Sequence, residues 1–236
     1  MNTFNCDLGS VAPVLGADLL GRIYQLNFDY LEILIAEHTS ELRVSGTRYL
    51  PERVHEALSK TSSNARQSIA TTSFSLYSLG FEDQGFWRTA LRLYEQPVDG
   101  RYGAVGAAPV QSTFCELALL HAWHIAVTRP VAARVVYGMP TPIIERMSHA
   151  RLWQLRRIAV DYPGLLTPRW PTNPCFWSDI IGFAIQSDVR RLHTVQQLGH
   201  QLIAIDLQAS TEKHSAVRAR QSNLLQQRLS RSPVAR

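Results

Sequence analysis

The apolar positions of this chain recur with helical spacing through most of its length. From Ala17 to His38, Leu19, Leu20, Ile23, Tyr24, Phe28, Leu31 and Ile35 fall on one helical face, and Asp18 suits the N-cap or first turn. Leu42–Tyr49 reads as a loop or a short extended piece, and Pro51 then opens a short helix to Ser59. Helix resumes at Ser62. Ile69, Phe74, Leu76, Leu79 and Phe81, then Phe86, Trp87, Ala90, Leu91 and Tyr94, predict two helices separated at Gly80 or Gly85. Pro97–Pro109, with Gly100, Gly103 and Gly106, is the clearest linker.

Beyond it, Phe114–Val127 forms a strongly apolar helix and Pro130–Tyr137 a second, stopped by Gly138. Thr141-Pro142 opens a third that runs to Met147, and Ser148 caps a fourth, His149–Val160, which Pro163-Gly164 ends. Leu165–Pro174 is proline-rich and irregular, and Phe176–Gln186 and Val189–Leu207 read as further helices. Past Ala209 the apolar period fades. The expectation is an all-α helical bundle with a helix-turn-helix-like C-terminal half and a basic disordered tail. Its divisions are an arm (1–15), an N-terminal helical subdomain (16–96), a linker (97–111), a helical core (112–208) and a basic flexible tail (209–236).

Charge sharpens this division. Lys213, Arg218, Arg220, Arg228, Arg231 and Arg236 against Glu212 give the tail all of the chain's net charge of +5, which leaves residues 1–210 neutral. Such a tail adds sequence-independent affinity for phosphate backbones, or is simply a solvated terminus; Leu224, Leu225 and Leu229 also suit a short docking helix. Apolar runs are broken by Glu or His well short of the ~20 residues of a membrane span. The N-terminus has no basic n-region before its apolar residues, so a cytoplasmic protein without membrane contact is expected. Cys6, Cys115 and Cys175 are odd in number and far apart, as reduced thiols would be.

Catalytic signatures are absent from the sequence: no Gly-x-Ser-x-Gly, Walker A or His-Glu-x-x-His, and Gly100–Gly106 has neither the strand nor the Lys-Ser/Thr of a phosphate loop. A non-enzymatic protein without cofactors is expected. Cys115, His121 and His124 share one helical stretch, but Cys115 lies off the face of the two histidines and no carboxylate pair completes a ligand set. His193 and His200 share a stripe of the Val189–Leu207 helix and read as exposed or core-edge. No metal site is expected, and the five tryptophans read as core or interface anchors.

The segment Pro130–Val160 carries the one pattern suited to nucleic acid. Leu152, Leu155 and Ala159 make a buried stripe, while Arg151, Gln154 and Arg157 repeat at i, i+3, i+6 and Arg156 flanks them. Arg and Gln are the side chains that read guanine and adenine edges bidentately, and Arg neutralises phosphates. The alternative is an Arg-rich solvated face.

Residues 117–170, LALLHAWHIAVTRPVAARVVYGMPTPIIERMSHARLWQLRRIAVDYPGLLTPRW, also resemble the core of FlhD, the helical subunit of the bacterial flagellar master regulator. The elements that carry the resemblance are an apolar helix with a polar tip, a small-residue helix ending at Tyr137-Gly138-Met139, the short helix Ile143–Met147, the LWQLRRIA helix and Arg169 in an extended segment. IYQLNFDYLEILIAEH is similar to the family's first helix. The resemblance covers about a quarter of the chain, which is about twice the family's length, and Leu166 stands where some members carry a cysteine, which excludes an intersubunit disulfide there. It implies a homodimeric, non-enzymatic subunit of a transcription-activating complex that acts on DNA with an FlhC-like zinc protein. Arg151, Gln154, Arg156, Arg157 and Arg169 would then contact DNA or support the partner that does, aided by Arg218 and Arg220 of the tail. The competing reading is a helical adaptor or structural component of a mobile element or secretion system that touches no nucleic acid, and the neutral body favours it.

Overall fold

The computed structural model describes residues 14–39, 50–94 and 110–230, with side chains over 14–36, 50–94 and 110–211. The fold is all-α. Its helices are α1 (Ala17–Thr39), α2 (Glu52–Ser59), α3 (Ser63–Ala70), α4 (Gln84–Leu93), α5 (Val110–Thr128), α6 (Pro130–Tyr137), α7 (Thr141–Ser148), α8 (Leu152–Asp161), α9 (Phe176–Ile185) and α10 (Val189–Ser230). Two short strands, β1 (Tyr77–Ser78) and β2 (Thr167–Pro168), pair antiparallel with Tyr77 opposite Pro168. No helix among the described residues is long and apolar enough to cross a membrane.

The centre of the molecule is α5. Ala118, Ala122 and Ala126 lie on one row, four residues apart and fully buried, and their small side chains let neighbouring helices approach closely. α6, α7 and α8 pack on it from one side of the chain and α1 from the other, while α3 and α2 pack on α9 and α9 on α10. One contiguous core therefore includes residues from both sides of the expected linker. The linker itself, the N-terminal arm and the expected loop Leu42–Tyr49 lie almost wholly outside the described residues.

One stretch departs from its sequence pattern. Between α3 and α4, residues 71–81 are irregular rather than helical, with Tyr77–Ser78 in a strand, although Phe74, Leu76, Tyr77, Leu79 and Phe81 are all buried. A single asparagine holds the stretch in place. Asn27 of α1 is fully buried and its Nδ2 donates to the carbonyls of Ala70 (3.2 Å), Thr72 (3.4 Å) and Phe74 (2.8 Å) and to the Thr72 hydroxyl (2.9 Å), while its Oδ1 accepts from the Leu76 amide at 2.9 Å. These bonds satisfy backbone groups that a helix would otherwise satisfy internally. The Thr and Ser residues of Thr71–Ser75 are poor helix formers whose hydroxyls compete for the backbone, which tips the same way.

Two boundaries also shift. The fourth helix of the second half starts at Leu152, because the Ser148 hydroxyl donates back to the Glu145 carbonyl (2.8 Å) within α7 and leaves His149-Ala150-Arg151 as a three-residue turn. At the other end, α10 continues as helix to Ser230 instead of fading at Ala209. Residues 209–230 hold no Gly or Pro and are rich in Ala, Gln, Arg and Leu, so propensity sustains a helix that the apolar period does not signal. On the body, Gly199 of α10 sits so close to Phe74 that an added Cβ would fall 2.2 Å from its ring.

Candidate functional site

α8 runs antiparallel along α5. Near its start, the Trp123 indole donates to the Ala150 carbonyl (3.1 Å), and further along Arg156 pairs with Glu116 (3.4 Å). This places the arginine-rich helix at the surface, yet its side chains divide in an unexpected way. Gln154 is only 5 % exposed: its Oε1 accepts from the Arg151 amide (2.7 Å), closing the N-terminus of α8, and its Nε2 donates to the Leu91 carbonyl (3.0 Å), tying α8 to α4. Helical spacing alone put Gln154 beside Arg151 and Arg157. The true start of the helix, three residues later than expected, makes it the residue that folds back on the first turn.

Arg157 is exposed but engaged. Its Nε pairs with Asp161 at 2.8 Å, its guanidinium lies 5.9 Å from the Tyr94 ring centre, and the Tyr94 hydroxyl donates to the same Asp161 carboxylate at 2.6 Å. Burial and then the Asp161 carboxylate push the Tyr94 phenol well above its usual range. Desolvation works to raise Asp161, but the bonds from Tyr94 and Arg157 outweigh it and hold the carboxyl below its ordinary value. Arg151 is exposed at the helix N-cap, and no ion-pair partner for it occurs among the described residues.

Arg169 is an interior residue, 6 % exposed. Its Nη1 donates to the Val136 carbonyl (2.9 Å) and, more weakly, to the carbonyl and hydroxyl of Ser75 (3.4 Å each), and its plane lies 5.2 Å from the Trp170 ring centre. Burial pulls its pKa down to about 10, against the opposing pull of Asp206 and Glu82, so it stays charged at neutral pH. Gly138, at φ +63°, is required here, since a Cβ would meet Nη2 at 2.6 Å. Thus Gln154 and Arg169, expected at a contact with DNA or a partner, are buried and bonded within the fold, whereas Arg151, Arg156 and Arg157 reach the surface. Arg218 and Arg220 lie in the helical stretch of α10, with side chains outside those described.

The cysteine and histidines do not converge. Cys115 is buried, its thiol pushed up to about 12 by burial. His121 Nδ1 shares a 2.7 Å hydrogen bond with the Tyr137 hydroxyl, itself 3.3 Å from that of Tyr77; burial, followed by nearby Arg22 and His124, brings its pKa down to about 4. His124 and His193 are exposed, and His200 bonds the Ser73 hydroxyl at 2.7 Å. Among the described residues no three His, Cys, Asp or Glu side chains are placed to hold a metal. A shallow groove of about 430 Å³ between α2 and α9 exposes Cys175 beside Arg53 and Asp179.

The feature that helix assignment alone overlooked is on α5. Thr113, Leu117, His124 and Val127 are exposed on the outer side of α5, with Leu117 54 % and Val127 44 % exposed, while Leu120 between them is partly buried against the core. On α8, Leu152 and Val160 are 50 % and 51 % exposed on either side of Arg156. These positions were visible in the sequence, but α5 is apolar all round and nothing in the sequence marked which stripe stays outside.

Comparison with known proteins found no family model, no curated protein and no solved structure that matches this chain.

Proposed function

We propose that this chain is a non-enzymatic helical subunit that works through protein contacts, an adaptor rather than a reader of DNA. The observation that carries this reading is the composition of the outer side of α8. Of the side chains suited to DNA, Gln154 is buried and Arg156 and Arg157 are neutralised by Glu116 and Asp161, while Leu152 and Val160 stand exposed between and beyond them. Exposed apolar side chains next to internally paired charges suit a protein surface; a phosphate backbone calls for free cations.

A second reading is favoured by a different observation. α7, the three-residue turn 149–151 and α8 have helix-turn-helix connectivity, and the unpaired Arg151 caps the second helix, where such motifs approach bases. Together with the basic C-terminal end of α10, this supports a subunit of a transcription-activating complex on DNA with an FlhC-like partner supplying most phosphate contacts. The two readings separate on the salt dependence of binding to mixed-sequence duplex DNA by the full chain and by the variant Arg151→Ala, Arg156→Ala, Arg157→Ala. The adaptor reading expects the same slope for both. A slope that falls by about two to three phosphates in a folded variant would establish the second reading.

A further inference from the structure

α10 seats one side on the body through Leu192, Val195, Gly199 and Ile203 and turns another outward. On that outer side Leu198, Leu202, Ile205 and Ala209 are spaced 4-3-4 and so form one line. Leu198 is 47 % and Ile205 59 % exposed, Ala209 is exposed, and Leu202 is partly buried at the edge of the core. Arg191, in line with them seven residues before Leu198, is already engaged, 3.5 Å from Asp188 and 5.6 Å from the Phe183 ring centre. Past Ala209 the helix changes character. It runs on to Ser230 without Gly or Pro, a further length on the order of 30 Å. This part of its sequence holds Lys213, Arg218, Arg220 and Arg228 against the single acid Glu212, while residues 1–210 are neutral.

We infer that α10 is the docking element for an acidic amphipathic helix of a partner protein. The apolar side of that helix lies along Leu198–Ala209, and its carboxylates meet the stretch from Lys213 to Arg228. This rests on the reading of the chain as one that works through protein contacts, and it concerns residues outside the 117–170 stretch that carries the family resemblance. The occupant follows from the apolar line and the charge taken together. A 4-3-4 apolar line on a helix is matched along its length by the apolar line of a second helix. Charge complementarity then fixes the sign of the partner, because the neutral body brings no net counter-charge to the cations beyond Thr211. A second copy of the chain is a poor fit: side by side in parallel the two basic stretches repel, and antiparallel each lies on the uncharged apolar line of the other. A phosphate backbone would meet the cations but offers nothing apolar to Leu198 and Ile205.

The test is fluorescence anisotropy of a labelled synthetic helix of four heptads, with Leu on its apolar line and Glu flanking it, titrated with the full chain. The same helix with Lys in place of Glu is the comparison probe. The chain is used as wild type, as Leu198→Gln with Ile205→Gln, as Arg218→Gln with Arg220→Gln and Arg228→Gln, and as Val189→Gln, an exposed position at the start of α10, for control. Circular dichroism verifies that each is folded. The acidic helix is expected to bind about tenfold or more tightly than the lysine one. Both the apolar and the arginine variants are expected to weaken it about fivefold or more, the arginine variant also flattening its salt dependence, and the control to leave it unchanged. Absence of binding, equal binding of the two probes, or binding that the folded apolar variant leaves intact overturns the inference. So does tighter binding of a mixed-sequence DNA duplex at the same salt, which would assign the basic stretch to nucleic acid. Self-association of the chain that the apolar variant abolishes overturns it as well, by assigning the line to a second copy. Failure of the adaptor reading shows separately, in the DNA salt slope of the Arg151, Arg156 and Arg157 variant.

Discussion

The guanidinium of Arg169 donates to the carbonyl of Val136 at 2.9 Å, and through that bond the segment after α8 is fastened to the C-terminal end of α6. The same group reaches Ser75, so one buried cation joins three separate parts of the chain, and the Trp177 indole secures its backbone by donating to the Arg169 carbonyl at 2.7 Å. Arg169→Ala would remove the buried guanidinium from Trp170, take its donor from the Ser75 carbonyl, and leave the Val136 carbonyl only the Ser75 amide (3.1 Å) and hydroxyl (3.2 Å). It is expected to lower unfolding free energy by about 3 kcal/mol or more, read as a shift of the urea midpoint. Arg151→Ala, at an exposed position without an ion-pair partner among the described residues, is expected to change stability by less than about 0.5 kcal/mol. Equal and small effects would remove Arg169 from the core role assigned to it.

Asn27 is expected to be at least as sensitive. Asn27→Leu preserves volume but takes their Asn27 bonds from the carbonyls of Ala70 and Thr72 and the amide of Leu76, and leaves the Phe74 carbonyl only the Thr72 hydroxyl (3.0 Å). A loss of about 3 kcal/mol or more follows if this segment depends on this side chain. Amide exchange at Leu76 gives the local readout: protection should drop more there than in α8. Uniform loss across the molecule would place the effect elsewhere.

These two residues show where the sequence was legible and where it was not. Helices with a sustained apolar period and clear punctuation were legible: Pro130 and Gly138 bracket α6 as read, and α1, α5 and α9 fall close to their expected spans. Residues 71–81 were not, because Thr72 and Ser75 are buried along with the apolar residues, so polarity does not mark an outer face, and the decisive partner, Asn27, lies more than forty residues away. The α8 face was half legible. Its arginines were found, but the three-residue shift in helix start that buries Gln154 depends on the Ser148 hydroxyl turning back onto α7. The paired charges of Arg156 and Arg157 depend on α5 and on the Tyr94–Asp161 bond.

Acid should destabilise the protein partly through His121. Its folded pKa is about 4, below the ordinary imidazole value of 6.5, because burial disfavours the imidazolium. Between those two values the unfolded chain binds a proton that the folded chain does not, so this contribution falls as pH drops from about 6.5 towards 4. Above that window the imidazole is neutral in both states and the penalty is absent. His121→Gln keeps a polar group opposite Tyr137 without the titration. The variant is expected to lose less stability than the wild type between pH 7 and pH 4.5, measured by urea unfolding at each pH. Parallel pH profiles would contradict the assignment.

Gly199→Ala tests the seating of α10. Although alanine favours helix, its Cβ would fall within 2.2 Å of Phe74, and the overpacking is expected to outweigh the propensity gain by about 1–3 kcal/mol. A thermal midpoint lower than wild type is the expected outcome. Stabilisation would mean that Phe74 has room to move aside.

The most direct test of the central claim, that the outer side of α8 is not a DNA-reading surface, is immunoprecipitation of the tagged chain from its native cells with sequencing of bound DNA. The wild type would be compared with Arg151→Ala, Arg156→Ala, Arg157→Ala. The account predicts indistinguishable DNA profiles for the two proteins. Discrete promoter peaks in the wild type that vanish in the folded variant would contradict it.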